Sequence, residues 1–254
     1  MLTYMLASRL PRGEKLARVT HLDDLTGTPS GGTLATVVES FPFTPYRPTR
    51  TSFDPLLRLP DGTKSPYAVR NRLSPLPSWT KQGAVGPFVM AMVNVNAVAR
   101  SNALLGYGPS LEYREGRLGP STGAMLGQLL ELSKALPFFL LPDFIKYSVL
   151  PRPGEGPSPQ AMERGYLQVT AHGEGERGTK VGARFYLGKD AGYLETARML
   201  VEAGLTLALE PAERLSGGGV LTPASAMGDA FLERLVASGT KLAWMSPEEA
   251  AAFL

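Results

Sequence analysis

The clearest pattern along the chain is a pair of segments in which apolar and polar residues alternate, at residues 165–171 and 180–187. A polar, glycine-rich stretch separates them. Alternation with a period of two places one side of a strand inward, and two such strands joined by a short polar stretch predict a β-hairpin. Its inward positions are Leu167, Val169, Ala171, Val181, Ala183 and Phe185.

Apolar residues recur with helical spacing in several other segments. The predicted helices are residues 1–10, 33–41, 96–105, 122–136, 193–209, 224–237 and 247–253. Helix-end signals support four of them. Ser30 is the predicted N-cap of 33–41, and Asn94 or Asn96 is the predicted N-cap of 96–105, which Gly106 ends. Gly239 follows 224–237, and Ser246 with Glu249 forms a capping box before 247–253. In residues 193–209 the apolar positions cover a broad face, so we expect this helix to be well buried.

The remaining pattern is a set of shorter strands and proline-rich connections. Residues 15–22, 110–115 and 241–245 are predicted strands. Residues 42–87 contain nine prolines, which break long helices and central strands, so we expect an ordered excursion over the surface with a turn at Asp61–Gly62. Residues 151–159 resemble a linker. Hairpins mixed with helices predict an α/β fold of α+β character, a mixed sheet covered by helices.

Composition narrows the function classes. The chain has 254 residues, 43% of them hydrophobic and 19% charged, which is ordinary for a globular protein. It has no cysteine, so disulfides and thiolate chemistry are excluded. The net charge is +3, but the basic residues are dispersed, so we expect no nucleic-acid partner. No signal peptide and no apolar run of transmembrane length are visible, which favours a cytoplasmic protein.

Two glycine-containing motifs are candidates for binding an anion or a cofactor. The spacing GxGxxG occurs at Gly173, Gly175 and Gly178. It lies between two predicted strands and contains acidic spacer residues, so we interpret it as the hairpin turn, with glycines that allow positive φ, rather than a dinucleotide loop. The second motif is the segment Ser30, Gly31, Gly32 and Thr33, between a strand and a helix, where exposed N–H groups would suit a polar substrate group and a plain turn is the alternative.

The histidines do not predict a metal site. His21 lies near Asp23 and Asp24 in what the pattern suggests is a turn, and His172 ends a predicted strand. Neither histidine has a second histidine at ligand spacing, so we expect no metal.

An apolar segment, residues 125–150, has two interpretations. It carries four aromatic residues and few charges; these residues are Phe138, Phe139, Phe144 and Tyr147. The segment is either a core or oligomer-interface helix pair, or an amphipathic surface that lies on a membrane or a lipid droplet. Flotation with liposomes, and its loss when the phenylalanines are changed to serine, would separate the two.

Five motifs, in the same order along the chain, resemble the saccharopine dehydrogenase-like oxidoreductases, in particular the trans-acting enoyl reductases. These are Pro29-Ser30-Gly31-Gly32-Thr33, Gly86-Pro87-Phe88-Val89-Met90, Arg100-Ser101-Asn102-Ala103-Leu104-Leu105-Gly106, Pro151-Arg152-Pro153-Gly154-Glu155-Gly156-Pro157 and Gly219-Val220-Leu221-Thr222-Pro223-Ala224-Ser225-Ala226-Met227-Gly228-Asp229.

The resemblance implies a domain organisation. Family members begin with a Rossmann domain whose glycine-rich turn holds NAD or NADP, continue into a second domain with a large sheet, and return to the first domain. On this basis residues 1–14 are a linking helix after an absent Rossmann part, residues 15–190 are the second domain, and residues 191–254 are the C-terminal remnant of the Rossmann domain. The segment 30–33 would line the substrate cleft, and no catalytic residue is implied.

The resemblance also implies a function. We expect the substrate-side portion of an NAD(P)-dependent enoyl reductase-like enzyme with a lipid- or glycolipid-linked substrate, inactive without its nucleotide-binding half. The alternative is a non-catalytic, lipid-associated or partner-binding module, peripheral to a membrane or lipid droplet. The expected partners are a separate Rossmann half or a second copy of the chain.

Overall fold

The structure is a computed structural model that describes residues 1–27, 30–33, 58–72, 78–80, 83–88, 90–119, 123, 151–152 and 154–252. Several predicted features lie outside these residues. They are the predicted helix 33–41 beyond Thr33, the predicted helix 122–136 apart from residue 123, and the aromatic residues Phe138, Phe139, Phe144 and Tyr147.

Eight strands of the described residues form one mixed sheet, as the sequence predicts. The strands are β1 Leu16–Thr26, β2 Ala68–Asn71, β3 Ser78–Thr80, β4 Gly83–Gly86, β5 Ser110–Gly119, β6 Tyr166–Gly175, β7 Lys180–Leu187 and β8 Lys241–Trp244. Their order is β3-β4-β5-β1-β6-β7-β8, and β2 also pairs with β5. The hairpin predicted from residues 165–187 is confirmed as β6–β7.

Six α-helices accompany the sheet in the described part of the chain. They are α1 Leu2–Arg9, α2 Ala91–Leu105, α3 Pro159–Glu163, α4 Leu194–Leu209, α5 Pro223–Ala237 and α6 Pro247–Ala251. The capping box at Ser246 and Glu249 is confirmed, and Gly106 ends α2 with φ 65°. None of these helices is long and apolar enough to cross a membrane.

Strand β1 lies at the centre of the sheet and organises both faces. It runs parallel to β5, with Val19 opposite Tyr113, and antiparallel to β6, with Val19 opposite Gly173. Because side chains alternate along a strand, the odd-numbered residues of β1 and β5 share one face. Helices α1, α2, α4 and α5 belong to that side of the sheet.

The main core lies between α1 and the odd-numbered face. Met5 and Leu6 of α1 pack there with Val19, and Leu111 and Tyr113 of β5 complete the layer; each of the five is at most 1% exposed. The opposite face is covered near β7 by α6, where Met245 and Ala250 pack with Leu22. The layout is a sheet with helices on both faces.

The proline-rich stretch is more regular than its composition suggests. It contains the short strands β2, β3 and β4, which the sequence analysis did not predict. The prolines fall between these strands and not within them. The turn at Asp61–Gly62 is confirmed: Gly62 has φ 83°, and the Thr63 N–H donates to Asp61 Oδ1 at 2.9 Å.

The capping prediction for α2 was wrong. The helix begins at Ala91, and Met90 stands at its N-cap without a side-chain hydrogen bond. Asn94 lies inside the helix, and its amide donates instead to Glu115 Oε1 across the packing interface at 2.8 Å.

The expected burial of α4 was also wrong. Leu200 is 72% exposed and Leu209 is 66% exposed. The two most buried residues of α4 are polar, Thr206 at 0% and Glu195 at 7% exposure, while Met199 and Ala203 pack against the core beside them. The breadth of an apolar face therefore did not indicate which side of this helix packs inward.

Candidate functional site

A pair of carboxyl groups is buried on the helix-covered face, near the carboxyl ends of the parallel strands β1 and β5. Asp23 and Glu115 are 4% and 9% exposed, and their carboxyl groups are within hydrogen-bonding reach of each other. Asn94 donates to Glu115 Oε1 at 2.8 Å, and the Tyr113 hydroxyl donates to Glu115 Oε2 at 2.8 Å. Within the part of the chain that the structure describes, Asp23 Oδ2 receives no hydrogen bond from a donor group.

The surroundings of this carboxyl pair keep a proton on it. Burial, and next the neighbouring Glu115 carboxyl, raise the pKa of Asp23 from 3.8 to about 8. Burial also raises the pKa of Glu115, although its hydrogen bonds from Asn94 and Tyr113 oppose the rise. Two carboxyl groups this close cannot both ionise at modest cost, so the pair shares a proton at neutral pH. A group of this kind is chemically suited to donating or storing a proton.

The pair continues into a hydrogen-bonded chain of polar side chains. Tyr113 Oη lies 3.3 Å from His21 Nδ1, and Thr3 Oγ1 lies 3.5 Å from His21 Nε2. The rings of His21 and Tyr113 meet edge to face, with centroids 5.3 Å apart. Burial lowers the pKa of His21 to about 3, so the imidazole is neutral at physiological pH.

In the predicted cleft segment, residues 31–33 are helical and Ser30 precedes them, and this helical turn lies against Tyr193. The Ser30 N–H donates to Tyr193 Oη at 2.5 Å, and Thr33 Oγ1 lies 3.1 Å from the same oxygen. Ser30 Oγ accepts the Thr33 N–H at 3.2 Å, which confirms the predicted capping role of Ser30. Burial raises the pKa of Tyr193, but the hydrogen bonds from Ser30 and Thr33 outweigh it, so the pKa falls below its usual value.

Gly31 is needed for close packing. A Cβ placed on Gly31 would lie 1.9 Å from the carbonyl oxygen of Arg152, whereas on Gly32 the nearest atom would be 3.7 Å away. The Gly31 N–H donates to the carbonyl of Glu155 at 2.9 Å. The N–H groups of residues 30, 31 and 33 are therefore already used within the protein, and the turn joins two of the motifs quoted above instead of presenting an open anion site.

The GxGxxG motif also fails to fit a dinucleotide. Gly173 and Gly175 lie within β6, and the hairpin interpretation is confirmed. Its explanation needs one correction, because only Gly178 of the three has positive φ, at 85°. A Cβ on Gly175 would lie 2.0 Å from Glu14 Oε1, so a carboxylate fills the space that a phosphate would need.

A cleft of about 460 Å³ lies beside α5, at the motif that ends with Asp229. Gly228 interrupts the helix with φ 45° and ψ −125°, a conformation that favours glycine. The interruption leaves helical carbonyls without their usual partners, and Ser216 binds two of them: its N–H donates to Ala226 at 2.8 Å, and its hydroxyl donates to Ser225. Burial and the hydrogen bond with Asp229 raise the pKa of Tyr4 to about 12.

Both histidines lie inside strands, whereas the sequence interpretation placed His21 in a turn and His172 at the end of a strand. His21 is in the middle of β1 and is 7% exposed, because the strand extends to Thr26 and no turn occurs at residues 21–24. His172 is inside β6 and 1% exposed, on the opposite face near the Ala250 backbone. Among the described residues, no group of three acidic or histidine side chains is arranged to hold a metal ion.

Sequence reasoning missed the carboxyl pair. Asp23 was noticed only as a neighbour of His21, and Tyr113 and Glu115 were not singled out. A signal was present, since Val19, His21 and Asp23 follow one another at a spacing of two, as do Tyr113 and Glu115. Strand periodicity places each set on one face, but only the pairing of β1 with β5 brings the two sets together.

Comparison with known proteins gives a consistent group of relatives. A Mycobacterium tuberculosis protein named as a trans-acting enoyl reductase is 35% identical over 237 residues, which cover 84% of this chain and 55% of the relative. Trans-acting enoyl reductases of Mycobacterium ulcerans and Mycobacterium bovis are 40% and 38% identical, over 61% of this chain and 39% of each relative.

The chain therefore spans about half the length, or less, of the curated relatives it matches. No protein-family model matches the chain. No solved structure matches it with statistical significance. The chain is thus homologous to proteins that are named trans-acting enoyl reductases.

Proposed function

We propose that this chain forms the substrate-side portion of an enoyl reductase-like oxidoreductase, and that the nucleotide-binding portion is a different stretch of polypeptide. The observation that carries the proposal is the 35% identity over 84% of the chain to a protein named a trans-acting enoyl reductase. The match accounts for 55% of that relative, so the relative contains further polypeptide beyond the part resembled here.

The packing of the two glycine-containing motifs agrees with this division. The turn at residues 30–33 uses its N–H groups on Tyr193, Glu155 and Ser30 itself. The space beside the hairpin residue Gly175 is filled by the Glu14 carboxylate. Neither motif offers the row of free N–H groups that a pyrophosphate requires. We therefore assign the binding of NAD or NADP to the nucleotide-binding portion. We assign no step of the cofactor's chemistry to residues of this chain.

The substrate class is the second part of the proposal. The resemblance to enzymes of lipid and glycolipid assembly points to an enoyl group carried on a long acyl chain. The role of this chain would be to hold and orient that substrate beside the nicotinamide, which supplies the hydride when it is bound.

Fluorescence titration of NADPH tests the division. The isolated chain should leave NADPH fluorescence unchanged at micromolar concentrations, because its described glycine turns are closed. Addition of a polypeptide corresponding to the unmatched part of the relative should create a saturable change. Saturable micromolar binding by this chain alone would contradict the proposal.

An activity assay tests the chemistry. NADPH oxidation in the presence of a long-chain enoyl thioester should require both polypeptides, and should not occur with the corresponding saturated thioester. If both polypeptides bind NADPH together but the enoyl thioester is never reduced, the proposed reaction is wrong even though the division is right.

A further inference from the structure

Three arginines converge on one carboxylate on the even-numbered face of the sheet. Arg18 of β1 and Arg114 of β5 lie 3.3 and 2.7 Å from Glu112 Oε1, and Arg72, which follows β2, lies 3.4 Å from Glu112 Oε2. The three arginine side chains are 40–57% exposed. Burial raises the pKa of Glu112, but the arginines outweigh burial and lower it, so this carboxylate is ionised at neutral pH. One negative charge cannot neutralise three positive charges, so the cluster keeps a positive excess toward solvent.

The cluster belongs to a row of alternating charges that crosses five strands. Glu112 stands between Arg70 of β2 and Arg18 of β1. Glu174 of β6 stands between Arg18 and Lys180 of β7, and its carboxylate accepts a hydrogen bond from Arg18 at 3.0 Å. Neighbouring strands lie about 4.8 Å apart, so the row is roughly 19 Å wide. The surface, here called the basic sheet face, comprises Arg18, Arg70, Arg72, Arg114, Lys180, Glu112 and Glu174.

The basic sheet face accounts for the excess positive charge of the whole chain. Its five cations outnumber its two carboxylates by three, and the formal net charge of the chain is also +3. The rest of the sequence is therefore balanced in formal charge. Because side chains alternate along strands, this surface lies on the side of the sheet opposite the Asp23–Glu115 pair and helix α1. A partner bound to it would leave that other side open.

The chemistry of this surface distinguishes three classes of anionic partner. Attachment to a membrane needs inserted apolar side chains besides basic charge, and none of the large exposed apolar residues in the described chain lies on these five strands. A nucleic acid carries uniform negative charge, which the two carboxylates of the row would repel, and the surface has no aromatic residue for base stacking. A folded protein can place carboxylates opposite the cations and hydrogen-bond donors opposite Glu174, so it matches the alternating row.

We propose that the basic sheet face is a docking surface for an acidic partner protein, whose carboxylates pair with Arg70, Arg72 and Arg114. Cations recur at every second strand of the row, about 10 Å apart, which is the spacing of every third residue in an extended acidic segment. Glu112 competes with the partner for Arg72 and Arg114, so it weakens docking. The inference goes beyond the proposed reductase function and does not depend on it.

Fluorescence anisotropy of a labelled peptide tests the proposal. The probe is a serine–glycine peptide with glutamate at every third residue, titrated with the full chain at about 20 mM salt, where surface charges are weakly screened. Arg72→Gln/Arg114→Gln removes two cations of the basic sheet face. Lys189→Gln/Arg214→Gln is the matched control, because it removes two exposed, ion-paired cations elsewhere and leaves the same net charge. Thermal unfolding checks that each variant is folded.

We expect the wild type and the control variant to bind the peptide with affinities within about twofold of each other, and the arginine double variant to bind at least about fivefold more weakly. Glu112→Gln should bind about threefold more tightly than wild type, because it removes the carboxylate that competes for the arginines. Glu163→Gln, which changes the net charge by the same amount at an exposed ion pair elsewhere, should bind as wild type does. The opposite signs of the two effects give two independent readouts.

Three results would overturn the proposal. The first is that the wild type does not bind the peptide at this salt concentration. The second is that the two double variants lose affinity equally, because net charge and not this surface would then govern binding. The third is that single-stranded DNA of equal charge, or vesicles of phosphatidylglycerol, bind through Arg72 and Arg114 more tightly than the peptide does, which would assign the surface to another class of partner.

Discussion

Replacing Asp23 by asparagine should make the protein more stable at pH 8 and remove the part of the pH dependence of its stability that Asp23 causes. The structure places Asp23 beside Glu115 at 4% exposure and raises its pKa from 3.8 to about 8. Each pKa unit is worth about 1.4 kcal/mol, so a shift of this size lowers the free energy of unfolding at pH 7 by roughly 4 kcal/mol relative to acid pH.

The direction follows from proton counting. Between about pH 4 and pH 8 the folded protein holds a proton on Asp23 that the unfolded chain has released, so the free energy of unfolding falls as the pH rises. His21 acts in the opposite direction below its ordinary pKa of 6.5, because its folded pKa is lowered to about 3 and the unfolded chain takes up the extra proton. The buried Met1 amino group, whose pKa burial lowers from 8.0 to about 6, and His172, whose pKa burial also lowers, act in the same opposite direction between pH 6.5 and 8. The difference between wild type and Asp23→Asn therefore isolates Asp23, and the free energy of unfolding of wild type relative to that variant should fall by roughly 1.5 kcal/mol across this window.

Urea unfolding at four pH values in this window measures the effect. Relative to Asp23→Asn, wild type should lose about 1.5 kcal/mol between pH 6.5 and 8, equivalent to roughly 3–6 °C in the unfolding temperature. The free energy of unfolding of Asp23→Asn should not fall across this window, since its amide can donate to the Glu115 carboxylate without ionising. Asp24→Asn is the matched control, because Asp24 lies on the other face, where it accepts a hydrogen bond from Tyr166 at 3.0 Å, and it should keep the slope. A wild-type slope in Asp23→Asn would refute the shared-proton argument.

Three further substitutions test the packing around α4 and the turn at residues 30–33. Gly31→Ala should destabilise by about 1–3 kcal/mol in urea unfolding, because its Cβ would lie 1.9 Å from a backbone carbonyl, and Gly32→Ala should change little. Tyr193→Phe removes the hydroxyl that accepts the Ser30 N–H and contacts Thr33 Oγ1, and it should lower the free energy of unfolding by about 1–2 kcal/mol. An unchanged urea midpoint would mean that other contacts hold residues 30–33 in place. Arg198→Met should lower the free energy of unfolding by roughly 3 kcal/mol, because it leaves buried partners unpaired. Arg214→Met is the control and should cost about 1 kcal/mol or less, because the ion pairs of Arg214 are more exposed. Equal losses would contradict the argument that Arg198 is held by buried partners.

Local patterns predicted elements well where the sequence signal was itself local. The β6–β7 hairpin follows from strict alternation, and the cap at Ser246 follows from a four-residue motif. Strand β1 was predicted too short, ending at residue 22 instead of Thr26, because His21, Asp23 and Asp24 have low strand propensity as polar residues. These residues are buried because β5 and β6 pair with β1, and both strands lie far from β1 in the sequence.

In the candidate site as well, features that depend on neighbouring residues were predictable, and features that depend on distant contacts were not. Residues 30–33 were found from sequence, and their capping geometry was predictable, but the fit of Gly31 against Arg152 depends on a contact 121 positions along the chain. The carboxyl pair depends on the parallel register of Asp23 with β5. The orientation of α4 depends on an ion pair and a hydrogen bond with α5, and an amphipathic pattern alone does not say which half of a helix meets the protein.

The central position of β1 also has a consequence for how the chain reaches its native state. Its two partner strands follow it by about 90 and about 150 residues, so neither ladder can form by local zippering. During synthesis β1 is made before both of its partners, and its second edge stays unpaired until β6 has been made. We therefore expect the sheet to assemble late, and slowly for a protein of this size, around the local β6–β7 hairpin. Insertion of β1 between this hairpin and β5 should be the rate-limiting step.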